Sequence, residues 1–180
     1  MKTIFCRILR VLVAIFIFVL TIIGYVFHEK TLANWWIPVG VALLIVAITF
    51  SLYNKWQWLT AVDKKVVNMI CHLIGVGCIS YTLFLGGNYL LADSASSHQE
   101  EVMVQNKYIE THQKRRRVGK HSYRSDGVRK EYYLQVIFDN GEVKDLHVSL
   151  PTYNRAQNNT PKVLTLKMGF FGLPVITKGL

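Results

Sequence analysis

Charge is scarce in this chain. Only 18% of its 180 residues are Asp, Glu, Lys or Arg, where an ordinary soluble domain carries about 25%. Acid is scarcer than base, 11 residues against 21, which leaves a formal net charge of +10. Cysteine is scarce too: three residues in a chain of this length exclude a disulfide-stapled mini-protein. A hydrophobic content of 51% excludes a disordered chain. Low charge together with a positive mean hydropathy excludes a simple soluble basic protein. Catalytic signatures are also missing. There is no HExxH, no Gly-rich phosphate loop and no nucleophile elbow in a Ser/His/Asp order. The carboxylates form no pair that spacing places in one pocket. An enzyme, a cofactor and a bound metal are therefore not expected.

What is present is unevenly distributed. Residues 1–92 hold 7 Lys+Arg and 2 Asp+Glu, and residues 93–180 hold 14 and 9. The first part contains three runs without charge, Val11–Phe27, Trp35–Tyr53 and Val66–Ala92, of 17, 19 and 27 residues. About 20 apolar residues in a helix span a hydrocarbon core of ~30 Å. Ile8 and Leu9 lengthen the first run, and Arg7 and Arg10 can snorkel from its end. The pattern predicts three transmembrane helices, over about 8–27, 35–53 and 64–91, in a domain of residues 1–92. A cleaved signal peptide fits less well. The first run exceeds the usual ~7–15 apolar residues, and Gly24-Tyr25-Val26-Phe27-His28 is no small-x-small cleavage site.

Trp35, Trp36, Trp56 and Trp58 sit at run ends, where indoles anchor a helix in the headgroup layer, so they are read as membrane-interface anchors. Pro38 suits the first turn of the second helix. Thr60-Ala61-Val62-Asp63 has capping-box spacing before the third. Lys2, Arg7, Arg10, Lys55, Lys64 and Lys65 fall on one side of the three spans, and Lys30 and Lys107 on the other. Six against two puts the N-terminus in the cytoplasm. Three crossings then make the C-terminal part extracytoplasmic. The basic run from Lys114 lies beyond the counting window.

No Asp, Glu, Lys or Arg lies within a run, which argues against an ion pathway. His72 lies about 10 Å along the third helix from Lys65. It reads as an interfacial or helix-packing histidine, since a proton or metal site would lack a carboxylate partner. Cys71 and Cys78 share a helix face but stand about 10.5 Å apart along the axis, too far for a disulfide. With Gly75, Thr82 and Gly86 they form a stripe of small side chains, the pattern of a close helix-packing face. Its partner is expected within this chain or in another.

Residues 93–101 are small and polar and read as a linker. Residues 102–180 carry strand patterning and no cysteine. Val102–Ile109 reads as a first strand, and Ser125-Asp126-Gly127 as a turn. Tyr132, Leu134, Val136 and Phe138 alternate before Asp139-Asn140-Gly141, a hairpin signal. A three-residue loop with a Gly141 bulge is expected to pair Val136 with Leu146 and Leu134 with Val148. Tyr153–Thr160 reads as a loop holding at most one helical turn. Val163–Met168, with Leu164, Leu166 and Met168 on one face, and Leu173–Thr177 complete the set around a Gly169-Phe170-Phe171-Gly172 turn. The fold class is therefore membrane α-helical, followed by a small all-β domain forming an SH3-like or OB-like antiparallel barrel.

One cluster stands out. Lys114, Arg115, Arg116, Arg117, Lys120, Arg124, Arg129 and Lys130 lie close together, with Tyr108, Tyr123, Tyr132 and Tyr133 interleaved. Three readings compete. One is a solvated hairpin whose charges keep its edges unpaired. The second is docking onto anionic headgroups or an acidic protein. Nucleic acid, the third, is not expected on the extracytoplasmic side. His112 and His121 flank the basic run.

A Tyr-x-x-Gln-Val-x-Phe strand (Tyr132–Phe138), an Asp-x-Gly turn, Tyr153 and a Val-x-Leu-x-Leu strand ending at Gly169 resemble a group of bacterial membrane-anchored small β domains of unknown function. The resemblance covers residues 102–177 and implies a fold but no activity. Where that pattern has a Gly-Asp-like turn, this chain has Asn158-Asn159-Thr160-Pro161. The expected protein is a non-enzymatic, multi-pass inner-membrane protein. It would act as an accessory or scaffold subunit, with the bilayer and a membrane or envelope protein, or a second copy, as partners. The alternatives are a membrane-resident immunity protein that neutralises a toxin, and a non-catalytic transporter subunit.

Overall fold

The structure is a computed structural model that describes residues 2–119, 122–139 and 141–179. The chain divides into two compact units. A helical unit comprises Met1–Ser97 with Lys167–Ile176; a β unit comprises His98–Leu166 with Thr177–Leu180.

In the helical unit, α1 (Lys2–Lys30) and α4 (Lys65–Leu90) are long enough and apolar enough to cross a membrane. They lie side by side and run parallel. Thr82 Oγ1 donates to Leu20 O at 2.8 Å, Gly86 faces Phe27, and the Phe27 and Tyr89 rings meet at 5.3 Å. The second apolar run departs from the straight helix expected over 35–53. Helix α2 (Trp36–Ile48) has 13 residues, and a 3-10 helix (Phe50–Trp56) and the one-turn α3 (Gln57–Thr60) follow at an angle of 77°. Thirteen residues rise about 20 Å, less than a bilayer core. The helix breaks at Thr49. Its hydroxyl donates back to Ile45 O at 2.7 Å, a bond that bends helices.

The expected capping box does not form. Lys64 is the N-cap of α4, without a side-chain cap. Thr60 Oγ1 instead donates to Asn68 Oδ1 at 2.7 Å, and Asn68 Nδ2 donates to Val62 O at 3.2 Å. Asn68 therefore pins the loop from within the helix, and Ala61 turns it with φ of +57°. At the other end of α4, residues 167–176 join this unit through Asn88. Its Nδ2 donates to Leu173 O at 2.9 Å, and its Oδ1 accepts from Phe171 N–H at 3.0 Å. Leu32 N–H donates to Pro174 O, and Val175 is buried.

The β unit is an open five-stranded antiparallel sheet in the order β3-β2-β1-β4-β5. Its strands are β1 (His98–Arg117), β2 (Tyr123–Ile137), β3 (Val143–Val148), β4 (Pro161–Met168) and β5 (Pro174–Gly179), with the short helix α5 (Leu150–Arg155) between β3 and β4. The closed barrel expected from the sequence is not formed, because β3 and β5 remain as edges. The linker is shorter than residues 93–101. Asp93 caps a 3-10 turn over Ser94–Ser96, and β1 starts at His98.

The core lies on one face. Val102, Val104, Leu134, Val136, Phe138, Val148, Leu164 and Leu166 are buried. Met168, expected on that face, is exposed. Phe138 N–H donates to Glu142 O, and Gly141 takes φ of +81°, so the β2–β3 loop has three residues. Asn140 lies outside the described residues. The register differs from the expected one: Leu134 faces Leu146, Tyr132 faces Val148 and Val136 faces Lys144. A shift of two keeps every side chain on its face, so the buried set is unaffected. Ser125–Gly127 is not a turn. It lies within β2 at a register shift, with Gly127 at φ of +94°.

A cationic ribbon as candidate functional site

Register sets the site. On its two sides β1 pairs with β4 over His98–Met103 and with β2 over Met103–Arg117, while β2 pairs with β3 over Tyr132–Ile137. From Glu110 to Arg117, and back from Tyr123 to Glu131, two strands continue with no third strand beside them. Arg115 pairs with Ser125, Arg116 with Arg124, Arg117 with Tyr123, His112 with Arg129, and Thr111 with Lys130. Seven of the eight basic residues marked in the sequence are thus brought onto one exposed ribbon, and Lys120 lies outside the described residues. The pairing of β1 with β2, rather than nearness in the sequence, brings the seven together. Among the described residues, the one ion pair made by these cations is Arg129 to Glu131, at 2.9 Å.

The aromatic residues do not stay interleaved with the cations. Tyr108 and Tyr133 stack at 5.3 Å on the face opposite the core, where Tyr133 Oη donates to Glu131 Oε2. Partial burial, and then the Asp145 carboxylate, holds the Tyr108 phenol above its ordinary value. Tyr132 lies on the core face against Tyr153, at 5.2 Å. Only Tyr123 remains among the cations. Near the tip, Arg116, Val118, Arg124, Ser125 and Asp126 line an open recess of about 610 Å³. Farther back, ligand atoms of Glu110, His112 and Glu131 lie within 4.8 Å of one another. That spacing would suit a divalent cation, but His112 stands 3.6 and 3.8 Å from the two carboxylates, and Arg129 holds Glu131.

In the helical unit the small stripe on α4 meets different neighbours along its length. Gly75 is covered by the Trp56 indole, Thr82 bonds α1, and Gly86 faces Phe27. Cys78 lines an apolar groove with Thr21, Tyr25, Val39, Leu43 and Leu73, and Cys71 is a free, half-buried thiol. Trp35 and Trp36 stack on each other at 3.7 Å and, like Trp58, are exposed. Trp56 is turned inward. Its Nε1–H donates to His72 Nδ1 at 3.0 Å. Trp donates only, so His72 carries its proton on Nε2 and donates it to Thr49 Oγ1 at 3.2 Å; the Thr49 hydroxyl then donates to Ile45 O. The sequence marks His72 but gives no hint of this chain, because its partners lie 16 and 23 residues away. Asn88, buried and doubly bonded, was missed. Its signal was an amide inside an apolar run.

No protein-family model, curated protein or solved structure matches this chain.

Proposed function

We propose that this chain is a non-enzymatic, multi-pass membrane protein of the bacterial inner membrane that acts as an accessory or scaffold subunit. Its N-terminus is cytoplasmic, and its β unit works outside the cytoplasm by binding. The observation that carries the reading is the parallel pairing of two long apolar helices, α1 and α4. Two parallel spans require the segment between them to return across the full thickness, however it bends. The bent pair α2 and its 3-10 continuation is the piece available to do so, and Trp58 and Lys55 are residue types that favour the headgroup layer. The chain then leaves the bundle on the side opposite its N-terminus. A binding role agrees with the absence of a catalytic motif. It also agrees with His72, whose two ring nitrogens are both engaged, which leaves a transporter reading without its one candidate proton carrier.

Reporter fusions test the topology. Alkaline phosphatase fused after Leu180 should be active, and a fluorescent protein fused after Lys64 should fold in the cytoplasm. A C-terminal fluorescent fusion that matures in the cytoplasm overturns the orientation. Affinity capture from native membranes tests the scaffold role: a stoichiometric membrane or envelope protein, or a second copy, should co-purify.

A further inference from the structure

The ribbon carries an unresolved electrostatic cost. Arg116 lies directly opposite Arg124, and like charges in that position destabilise an antiparallel pair. Among the described residues, Lys114, Arg115, Arg116, Arg124 and Lys130 make no ion pair. A partner bringing negative charge would remove the repulsion, and the recess that Arg116 and Arg124 line with Val118, Ser125 and Asp126 gives it a seat, with two guanidinium groups against one carboxylate.

The surroundings of that recess indicate which anion. Val118, 64% exposed, lines the recess with Arg116 and Arg124, and Tyr123, 66% exposed, stands at the end of the ribbon next to Arg124 in the chain. Apolar and aromatic side chains next to cations suit the boundary between phosphate headgroups and acyl chains. A single-stranded nucleic acid needs aromatic faces beside its cations. Here Tyr108 and Tyr133 cover each other next to Asp145, Glu110 and Glu131, and Tyr132 is taken by Tyr153.

We propose that the tip of this ribbon docks on an anionic lipid leaflet. A lipid phosphate sits between Arg116 and Arg124, Lys114 and Arg115 add attraction, and Val118 and Tyr123 enter the headgroup layer. The proposal rests on the membrane-anchored reading and deepens it by naming the bound surface.

The test uses the full chain in lipid nanodiscs, either purely zwitterionic or with about 30% phosphatidylglycerol. Trypsin cleavage within residues 114–117 is followed against cleavage at Arg155, an exposed reference site outside the ribbon. In anionic discs ribbon cleavage should slow by about tenfold relative to Arg155, and about 0.5 M NaCl should restore it. A variant with Arg115→Gln, Arg116→Gln and Arg124→Gln keeps the Lys114 and Arg117 cleavage sites and should lose the lipid dependence. Equal ribbon cleavage in both discs overturns the proposal. So does protection in zwitterionic discs by an added single-stranded oligonucleotide or an acidic peptide, with no effect of anionic lipid. Failure of the chain to enter discs removes the anchored reading and this proposal with it. Entry without lipid-dependent protection removes this proposal alone.

Discussion

His72 shows how one polar side chain is accommodated in an apolar helix. Nδ1 accepts from Trp56, Nε2 faces both Thr49 Oγ1 and Val46 O, and the donors run the same way, from Trp56 through His72 and Thr49 to Ile45. Deleting the first donor leaves Nδ1 buried and unsatisfied. Trp56→Phe should therefore cost about 1–3 kcal/mol, read as earlier thermal unfolding of the detergent-solubilised protein. Trp56→His, which restores a ring N–H donor, should recover part of the loss. Asn88 is the second such residue, with both ends of its amide used. Asn88→Ala leaves Leu173 O and Phe171 N–H without partners, at about 1–3 kcal/mol for each buried group. Hydrogen exchange at the Phe171 amide should accelerate strongly, while exchange in the β2–β3 hairpin should not change. Neither network is legible in the sequence. A lone His or Asn in an apolar run signals that a partner must exist, but its identity depends on how the helices meet.

Among the elements, α4 is where sequence and packing agree most closely. Its extent was readable to within a residue of each end, because a charge-free apolar run of this length satisfies its backbone polar groups internally as a helix. The small stripe is a feature of the sequence, and its neighbours are not: Gly75 seats an indole, and Thr82 and Gly86 face α1. Gly75→Leu would drive the Trp56 ring off α4 and break its bond to His72, and overpacking of this kind costs about 1–3 kcal/mol. The Gly75→Leu, Gly86→Leu double variant should unfold at lower temperature than either single variant. If both substitutions leave the melting temperature and the oligomer size unchanged, the stripe is not a packing face. The α2 segment is the opposite case. Nothing in its hydropathy marks the bend at Thr49, since Phe50–Tyr53 is as apolar as a continuing helix would be. On the sheet, strand positions and buried faces follow from alternation. Register does not, because a shift of two preserves alternation and only the turn geometry around Gly141 selects among the alternatives.

For the whole molecule, the division between an apolar half and a charged half was written in the distribution of Asp, Glu, Lys and Arg. The sequence by itself marked two long apolar helices, α1 and α4, before Ala92 and strand patterning after it, because charge-free runs and two-residue alternation are local properties. It also determined that positive charge concentrates in residues 114–130. Only the tertiary structure decided three other matters. The sheet stays open, because the strand order puts β3 and β5 at opposite ends and they do not pair with each other. The segment 167–176 belongs with the helices, because Asn88 holds it. And the cations stand apart from three of the four tyrosines, because pairing across β1 and β2 sends Tyr108 and Tyr133 to one face and Tyr132 to the other. Each depends on contacts between residues distant in the chain, which no local pattern encodes.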